Sequence, residues 1–163
     1  YEDFFYVFHT TLSFRKIIEK KLNESDFTNF EVTSNDIIKN HILKKSIFAI
    51  AKSGTVSLEI CNKKVPSIII YKMNFINFLI IKLLVKIKYA NLINIAANKI
   101  VIPELLQSNC NPSKIFKTVS NFIENPEKIQ NQIKETQIIL DNFKTKNLPS
   151  DLAANKLREI ISL

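Results

Sequence analysis

Ala49-Ile50-Ala51-Lys52-Ser53-Gly54-Thr55-Val56-Ser57-Leu58-Glu59 holds the one glycine of a 163-residue chain. An apolar run ends in Ser-Gly-Thr, and the residues after it read as a helix with a glutamate in its second turn. Glycine lets a backbone turn sharply or approach a ligand without a side-chain clash, so its place at a strand-to-helix junction predicts a binding loop. The first amides of a helix lack partners within it and attract anions. Thr55 and Glu59 lie one turn apart on the same face, which sets the carboxylate about 6 Å along the axis from the anion-binding end. That layout suits a nucleotide, with a diphosphate at the helix start and ribose hydroxyls on the glutamate. An ordinary strand-turn-helix with a surface glutamate satisfies the same pattern, so both readings stand at this point.

Working outward, the flanking segments alternate between short β-rich runs and helical patterns. Phe4 to Phe8 reads as a buried strand, and Ser13 as the N-cap of a helix through Leu22. Phe30 to Val32 is a further strand, with Thr33 or Ser34 capping a helix from Asn35 to Lys45. Ser46 to Ile50 feeds the glycine loop, Gly54 to Cys61 is its helix, and Val65 to Tyr71 reads as a fully buried strand. Strands separated by helices of this length predict an α/β fold with a parallel, Rossmann-like sheet and helices on both faces.

From Asn74 onward the pattern is helical. Asn111-Pro112 and Asn125-Pro126 each pair an N-cap with proline in the first turn, and Ser150 after Pro149 opens a last helix through Ile161. The tail from Lys128 keeps an apolar stripe through Ile129, Ile133, Ile138 and Phe143, which needs a surface to pack on. The expected division is residues 1–111 as the sheet domain and 112–163 as a helical extension, packed on that domain or on a missing one. One helix has two unlike sides. Ile76, Ile80, Leu83, Leu84 and Ile87 form an apolar face, whereas Phe75, Phe78, Lys82 and Lys86 mix aromatics with cations as a helix at a lipid interface does. Burial of the two phenylalanines under the C-terminal helices accounts for the same face.

Composition narrows the class. The chain carries 23 Lys+Arg against 15 Asp+Glu, a net +8, with 46% hydrophobic residues. That balance suits phosphates, nucleic acid or an anionic membrane. Neither a recognition helix, nor an aromatic single-strand platform, nor a clustered basic stripe is evident, which argues against nucleic acid. Apolar runs fall short of a spanning helix, and Lys82 interrupts the nearest, Ile76 to Val85. Cys61 and Cys110 lack metal-ligand spacing and read as free thiols in a reducing compartment. His9 and His41 have no nucleophile or carboxylate at telling spacing and read as structural. With Tyr1 in place of an initiator methionine and no signal peptide, the chain reads as a fragment.

Several blocks occur in a telling order: Ala51 to Glu59, Tyr71-Lys72-Met73, Lys82-Leu83-Leu84-Val85-Lys86, Tyr89-Ala90-Asn91-Leu92-Ile93-Asn94, and Val101-Ile102-Pro103-Glu104-Leu105-Leu106-Gln107. Together they resemble the C-terminal half of lipid-A-disaccharide synthase, from about Thr33 to Pro112 and more loosely at both ends. The resemblance implies the nucleotide-sugar half of a GT-B glycosyltransferase that joins UDP-2,3-diacylglucosamine to 2,3-diacylglucosamine 1-phosphate and releases UDP. It implies that Ser53, Gly54 and Thr55 hold the diphosphate, Glu59 the ribose, and that Asn94 lines the cleft near the donor. Glu104 and Gln107 read either as a capped helix start after Pro103 or as ligand contacts.

The same resemblance implies no cofactor, no metal and no catalytic residue in this stretch. Its partners would be the UDP-sugar donor, the lipid acceptor, the membrane surface and the N-terminal half that carries the acceptor site and catalytic carboxylate, with a homodimer formed by exchange of C-terminal segments. The location implied is the cytoplasm, peripheral on the inner membrane of a Gram-negative bacterium. Without the other half, the stretch is expected to be inactive in transfer. A folded remnant with weak UDP affinity and no chemistry is the alternative. Two departures bear on the cleft: Ile93 stands where the family has proline, and Asn98-Lys99-Ile100 replaces a Gly-Arg-Glu-like segment.

Overall fold

The computed structural model describes residues 4–74, 88–144 and 149–161. They fall into two compact units divided between Ile47 and Phe48. The first contains β1 (Tyr6–His9), α1 (Leu12–Asn23), β2 (Phe30–Thr33) and α2 (Asp36–Leu43). β1 and β2 pair in parallel, with Tyr6 opposite Phe30 and His9 opposite Thr33. Phe27, in the segment before β2, joins their aromatic side chains in a cluster, stacking on Phe30 at 5.7 Å and meeting Tyr6 edge-on at 5.0 Å. Such pairs contribute about 0.5–1.5 kcal/mol each beyond the area they bury. α2 is capped by Asn35, whose Oδ1 accepts from the amides of Ile37 and Ile38, in place of the expected Thr33 or Ser34. His9 and His41 are both solvent-facing. His9 Nε2 lies 3.6 Å from the Asp36 carboxylate, which the hydrogen bond and charge of Lys39 hold below its usual range.

The second unit contains β3 (Ala49–Ala51), α3 (Thr55–Asn62), β4 (Ser67–Tyr71), α4 (Leu92–Ala97), β5 (Glu104–Leu106), α5 (Pro112–Ile123), α6 (Pro126–Phe143) and α7 (Pro149–Ile161). β3, β4 and β5 form a parallel sheet in that order, with Ala51 opposite Ile69 and Ile69 opposite Glu104. The expected α/β class with parallel strands holds, and among the described residues the strands pair as a two-stranded and a three-stranded sheet. β5 is a correction, because Pro103-Glu104 reads like a helix start. The segment is extended since the Pro103 carbonyl accepts from Ile69 N–H at 2.9 Å, which draws it onto the sheet.

Helix ends follow local chemistry. α5 begins at Pro112 with Asn111 Oδ1 accepting from Lys114 N–H, and α6 begins at Pro126. α3 ends in a Schellman turn: Lys64 takes φ 57°, its amide donates to Cys61 O, and the Val65 amide donates to Ile60 O. Val65 is buried beyond it. The core gathers Cys61, Ile69, Ile93, Val101, Ile102 and Ile139, with Leu58 and Leu140 packed against it. By area arguments, each large apolar side chain buried here contributes about 1.5–3 kcal/mol.

α6 packs on α3 and α4, and the expected stripe is buried only in part, Ile129 and Ile133 being half-buried. Ile138 is 55% exposed and Phe143 48% exposed, whereas Gln132, Thr136 and Ile139 are buried. The buried face carries polar residues because it meets bare backbone as well as apolar side chains. Gln132 Oε1 accepts from Ser67 N–H at 2.7 Å, and its Nε2 donates to the carbonyls of Ser67 at 3.0 Å and Val101 at 3.2 Å. Gln137 Nε2 likewise donates to Cys61 O at 2.7 Å. Gln132→Leu leaves three buried backbone groups unpaired and is expected to cost about 2–4 kcal/mol in urea unfolding, while Ile138→Ala stays within about 0.5 kcal/mol.

Candidate functional site

In an open parallel sheet, ligands sit outside the carboxyl ends of the strands. Here that edge is formed by Lys52 to Thr55 after β3, Lys72 and Met73 after β4, and Gln107 and Ser108 after β5. Gly54 precedes α3 at φ 152° and ψ −167°, a region of backbone space essentially reserved for glycine. A Cβ built there meets nothing within 4 Å, so the residue is required by conformation and the space beside it is open. Gly54 and Thr55 are exposed. The Gly54 carbonyl turns inward instead, accepting from Ser57 N–H at 3.1 Å and Ser57 Oγ at 2.7 Å. The start of α3 is thus clamped by buried Ser57.

Ser53 tethers the loop, its Oγ donating to Ala90 O at 2.6 Å. Glu59 lies half-buried in the second turn of α3, on the Thr55 face. Lys52, exposed at the end of β3, places its ammonium 4.9 Å from the centre of the Tyr71 ring at the end of β4. Beyond β4 and β5, a cavity of about 330 Å³ is lined by Lys72, Met73, Gln107, Ser108, Cys110 and Asn111.

Two side chains from the Pro103-to-Gln107 block organise this edge. Glu104 accepts from the amides of Ala90 and Asn91, both at 2.9 Å, and from Asn94 Nδ2 at 2.8 Å. A carboxylate thereby satisfies free amides at the start of α4 and favours that helix's positive end. Gln107, at φ 50°, uses its amide as a further backbone unit: Oε1 accepts from Met73 N–H at 2.8 Å and Nε2 donates to Met73 O at 3.3 Å. Glu104 therefore opens no helix, and both side chains serve the fold's own backbone.

The family model described as lipid-A-disaccharide synthetase matches residues 1–157. This chain belongs to the lipid-A-disaccharide synthase family. The family is one of glycosyltransferases of lipid A biosynthesis. The lipid-A-disaccharide synthase of Rickettsia bellii (strain OSU 85-389) is 43% identical over 116 residues, 70% of this chain and 30% of that protein. That of Rickettsia prowazekii (strain Madrid E) is 38% identical over 145 residues, 88% of this chain and 37% of that protein. For the Rickettsia conorii (strain ATCC VR-613 / Malish 7) enzyme the identity is 46% over 102 residues, 61% of this chain and 23% of that protein. The chain thus spans between 23% and 37% of the length of these three synthases.

Within this synthase-family stretch, Ser53, Gly54, Thr55 and Glu59 stand together around the first two turns of α3. Asn94 is placed differently. It is 0% exposed, and its amide is spent on the fold: Oδ1 accepts from Val101 and Ile102 N–H, and Nδ2 donates to Ile102 O and Glu104. Its influence on the edge runs through Glu104. The phenylalanines and lysines expected at a lipid interface, Phe75, Phe78, Lys82 and Lys86, lie outside the described residues.

Both departures from the synthase pattern are accommodated. Ile93 fills the core with 0% exposure, and its N–H, which a proline lacks, donates to the capping Asn91 Oδ1 at 2.9 Å. Asn98 ends α4 at φ 49°, the left-handed position that glycine favours and asparagine tolerates. Lys99 pairs with Glu135 on α6 at 2.9 Å. Among the described residues no cluster of His, Cys, Asp or Glu is arranged to hold a metal, and no helix is long and apolar enough to cross a membrane.

The two thiols are free and differ in setting. Burial pushes the Cys61 thiol up to about 11, because the core disfavours its thiolate. Cys110 is half-buried at the cavity wall. Titration with a disulfide reagent at pH 8 is therefore expected to modify Cys110 in the folded chain and Cys61 only after denaturant is added. Separately, Glu104→Ala unpairs three donors and is expected to lower stability by about 2–3 kcal/mol, read as a fall in the urea midpoint.

Proposed function

We propose that this chain is the nucleotide-sugar-binding part of a lipid-A-disaccharide synthase. The donor's diphosphate lies against Ser53, Gly54 and Thr55, and the ribose hydroxyls against the Glu59 carboxylate. The observation that carries this reading is Gly54, held in a conformation reserved for glycine with open space beside it, at the start of an eight-residue helix on the carboxyl edge of the sheet. Bare amides and the positive end of the helix favour a negative charge there by about 0.3–1 kcal/mol. Glu59 stands one turn deeper, where two ribose hydroxyls can donate to it.

In the whole enzyme this part works with an acceptor-binding half, at the membrane surface where acylated donor and acceptor reside. The transfer condenses UDP-2,3-diacylglucosamine with 2,3-diacylglucosamine 1-phosphate. It needs a base for the acceptor hydroxyl and donors for the leaving diphosphate. The chain contributes to the second need only, so no transfer is expected from it alone. The proposed place of action is the cytoplasmic face of the inner membrane, with Phe75, Phe78, Lys82 and Lys86 toward lipid and a homodimer as the working assembly.

Calorimetric titration with UDP tests the site. The parent chain is expected to bind with a dissociation constant in the submillimolar range, and Glu59→Ala to weaken it about tenfold, as loss of a charge-assisted hydrogen bond does. Identical isotherms for the two proteins would remove the ribose role. Mixing the chain with a separately expressed N-terminal half and assaying disaccharide formation distinguishes an enzyme part from a folded remnant: product only in the mixture supports the first, none supports the second.

A further inference from the structure

The helix start supplies about half an elementary charge, whereas a nucleoside diphosphate brings about two or more, so the amides of Gly54 and Thr55 leave most of the anion unmatched. The Ser53 hydroxyl adds no donor to the anion, because it already donates to Ala90 O. The nearest cation in sequence is Lys52, one residue before the loop, and β3 ends immediately before it. Its side chain is exposed and lies over Tyr71, with the ammonium 4.9 Å from the ring centre. Tyr71 closes β4, the strand beside β3, so both residues stand on the carboxyl edge where the Gly54 loop opens.

An aromatic face attracts an ammonium by roughly 0.5–1 kcal/mol at an exposed site, enough to bias the rotamers of a long side chain. It does not neutralise the charge, as a carboxylate would. Lys52 therefore remains a cation able to meet an anion, held near the loop by a neutral partner. A lysine beside a glycine loop and a helix start is a recurrent solution for phosphate.

We infer that Lys52, steadied by the Tyr71 ring, is the phosphate-binding cation of this site and discriminates a nucleoside diphosphate from the bare nucleoside. The inference rests on the proposed nucleotide reading and adds to it the residue that recognises charge. Lys52 is a binding residue in this account, and Tyr71 positions it.

The test titrates the full chain with UDP and, separately, with uridine, at low and at moderate salt. Lys52→Met is expected to weaken UDP about tenfold, to leave uridine unchanged, and to flatten the salt dependence of UDP binding. Lys52→Arg retains the UDP affinity within about twofold, and Tyr71→Leu weakens UDP about two- to threefold with no effect on uridine. Unfolding midpoints close to the parent's show that Lys52→Met acts on binding rather than on folding. Glu59→Ala, by contrast, weakens both ligands. If the parent binds UDP and Lys52→Met binds it equally well, the lysine's role is overturned while the nucleotide site stands. If UDP does not bind the parent at millimolar concentration, the nucleotide reading itself fails and takes this inference with it. Equal weakening of UDP and uridine by Lys52→Met also overturns it, since the effect would not be one of charge.

Discussion

The central strand of the second unit is buried, and every backbone group it carries must find a partner. β4 pairs with β3 on one side and β5 on the other, but β5 is only three residues long. At the ends of that short partner the edge of β4 would be left bare. Gln132 meets it at Ser67 and Gln107 meets the chain just beyond it at Met73, each offering one acceptor and one donor in the manner of a peptide unit. A buried peptide group without a partner costs on the order of 1–3 kcal/mol, so these two amides decide where the sheet can end. The course of α6 over the sheet and the turn after β5 both follow from this need.

The same logic extends to the helix beside the site. Asn94 and Glu104 link α4, the Val101-Ile102 turn and β5 through hydrogen bonds between 2.7 and 2.9 Å. Ser53 then joins the Gly54 loop to Ala90, which Glu104 also holds. The glycine loop is therefore attached to this hydrogen-bonded platform through one hydroxyl, while Gly54 and Thr55 themselves stay exposed. The polar atoms that fix the geometry of this edge are consumed internally.

How much of this is legible in the sequence depends on the length and purity of each signal. β1, β2 and β4 are rich in branched and aromatic residues, β3 follows the apolar Ile47-Phe48 pair, and the prolines at 112 and 126 mark helix starts directly, so these elements can be read from the chain. The Ser53-Gly54-Thr55 junction is equally plain as a turn from strand to helix, since the one glycine marks where the backbone changes course. β5 is hidden, because three residues after a proline give no alternation to detect. The buried face of α6 misleads for a different reason: hydrophobic periodicity finds Ile133 and Ile138 but is blind to a glutamine whose burial is justified by backbone partners. The family resemblance places Asn94 near the donor; the structure shows its carbonyl and amide matched to a turn seven to eight residues on, which single-sequence reading has no way to see.

Four described positions adopt positive φ: Gly54, Lys64, Asn98 and Gln107. Three tolerate a side chain because the left-handed helical region penalises one by only about 1–2 kcal/mol. The fourth does not, and it is where the chain keeps glycine. A polypeptide so poor in this residue has a comparatively stiff denatured ensemble, with less disorder to surrender on folding than a glycine-rich chain of equal length. The penalties accepted at residues 64, 98 and 107 are thereby offset in the unfolded state, and the chain's one glycine is kept for the junction ahead of α3, where no other residue fits the backbone.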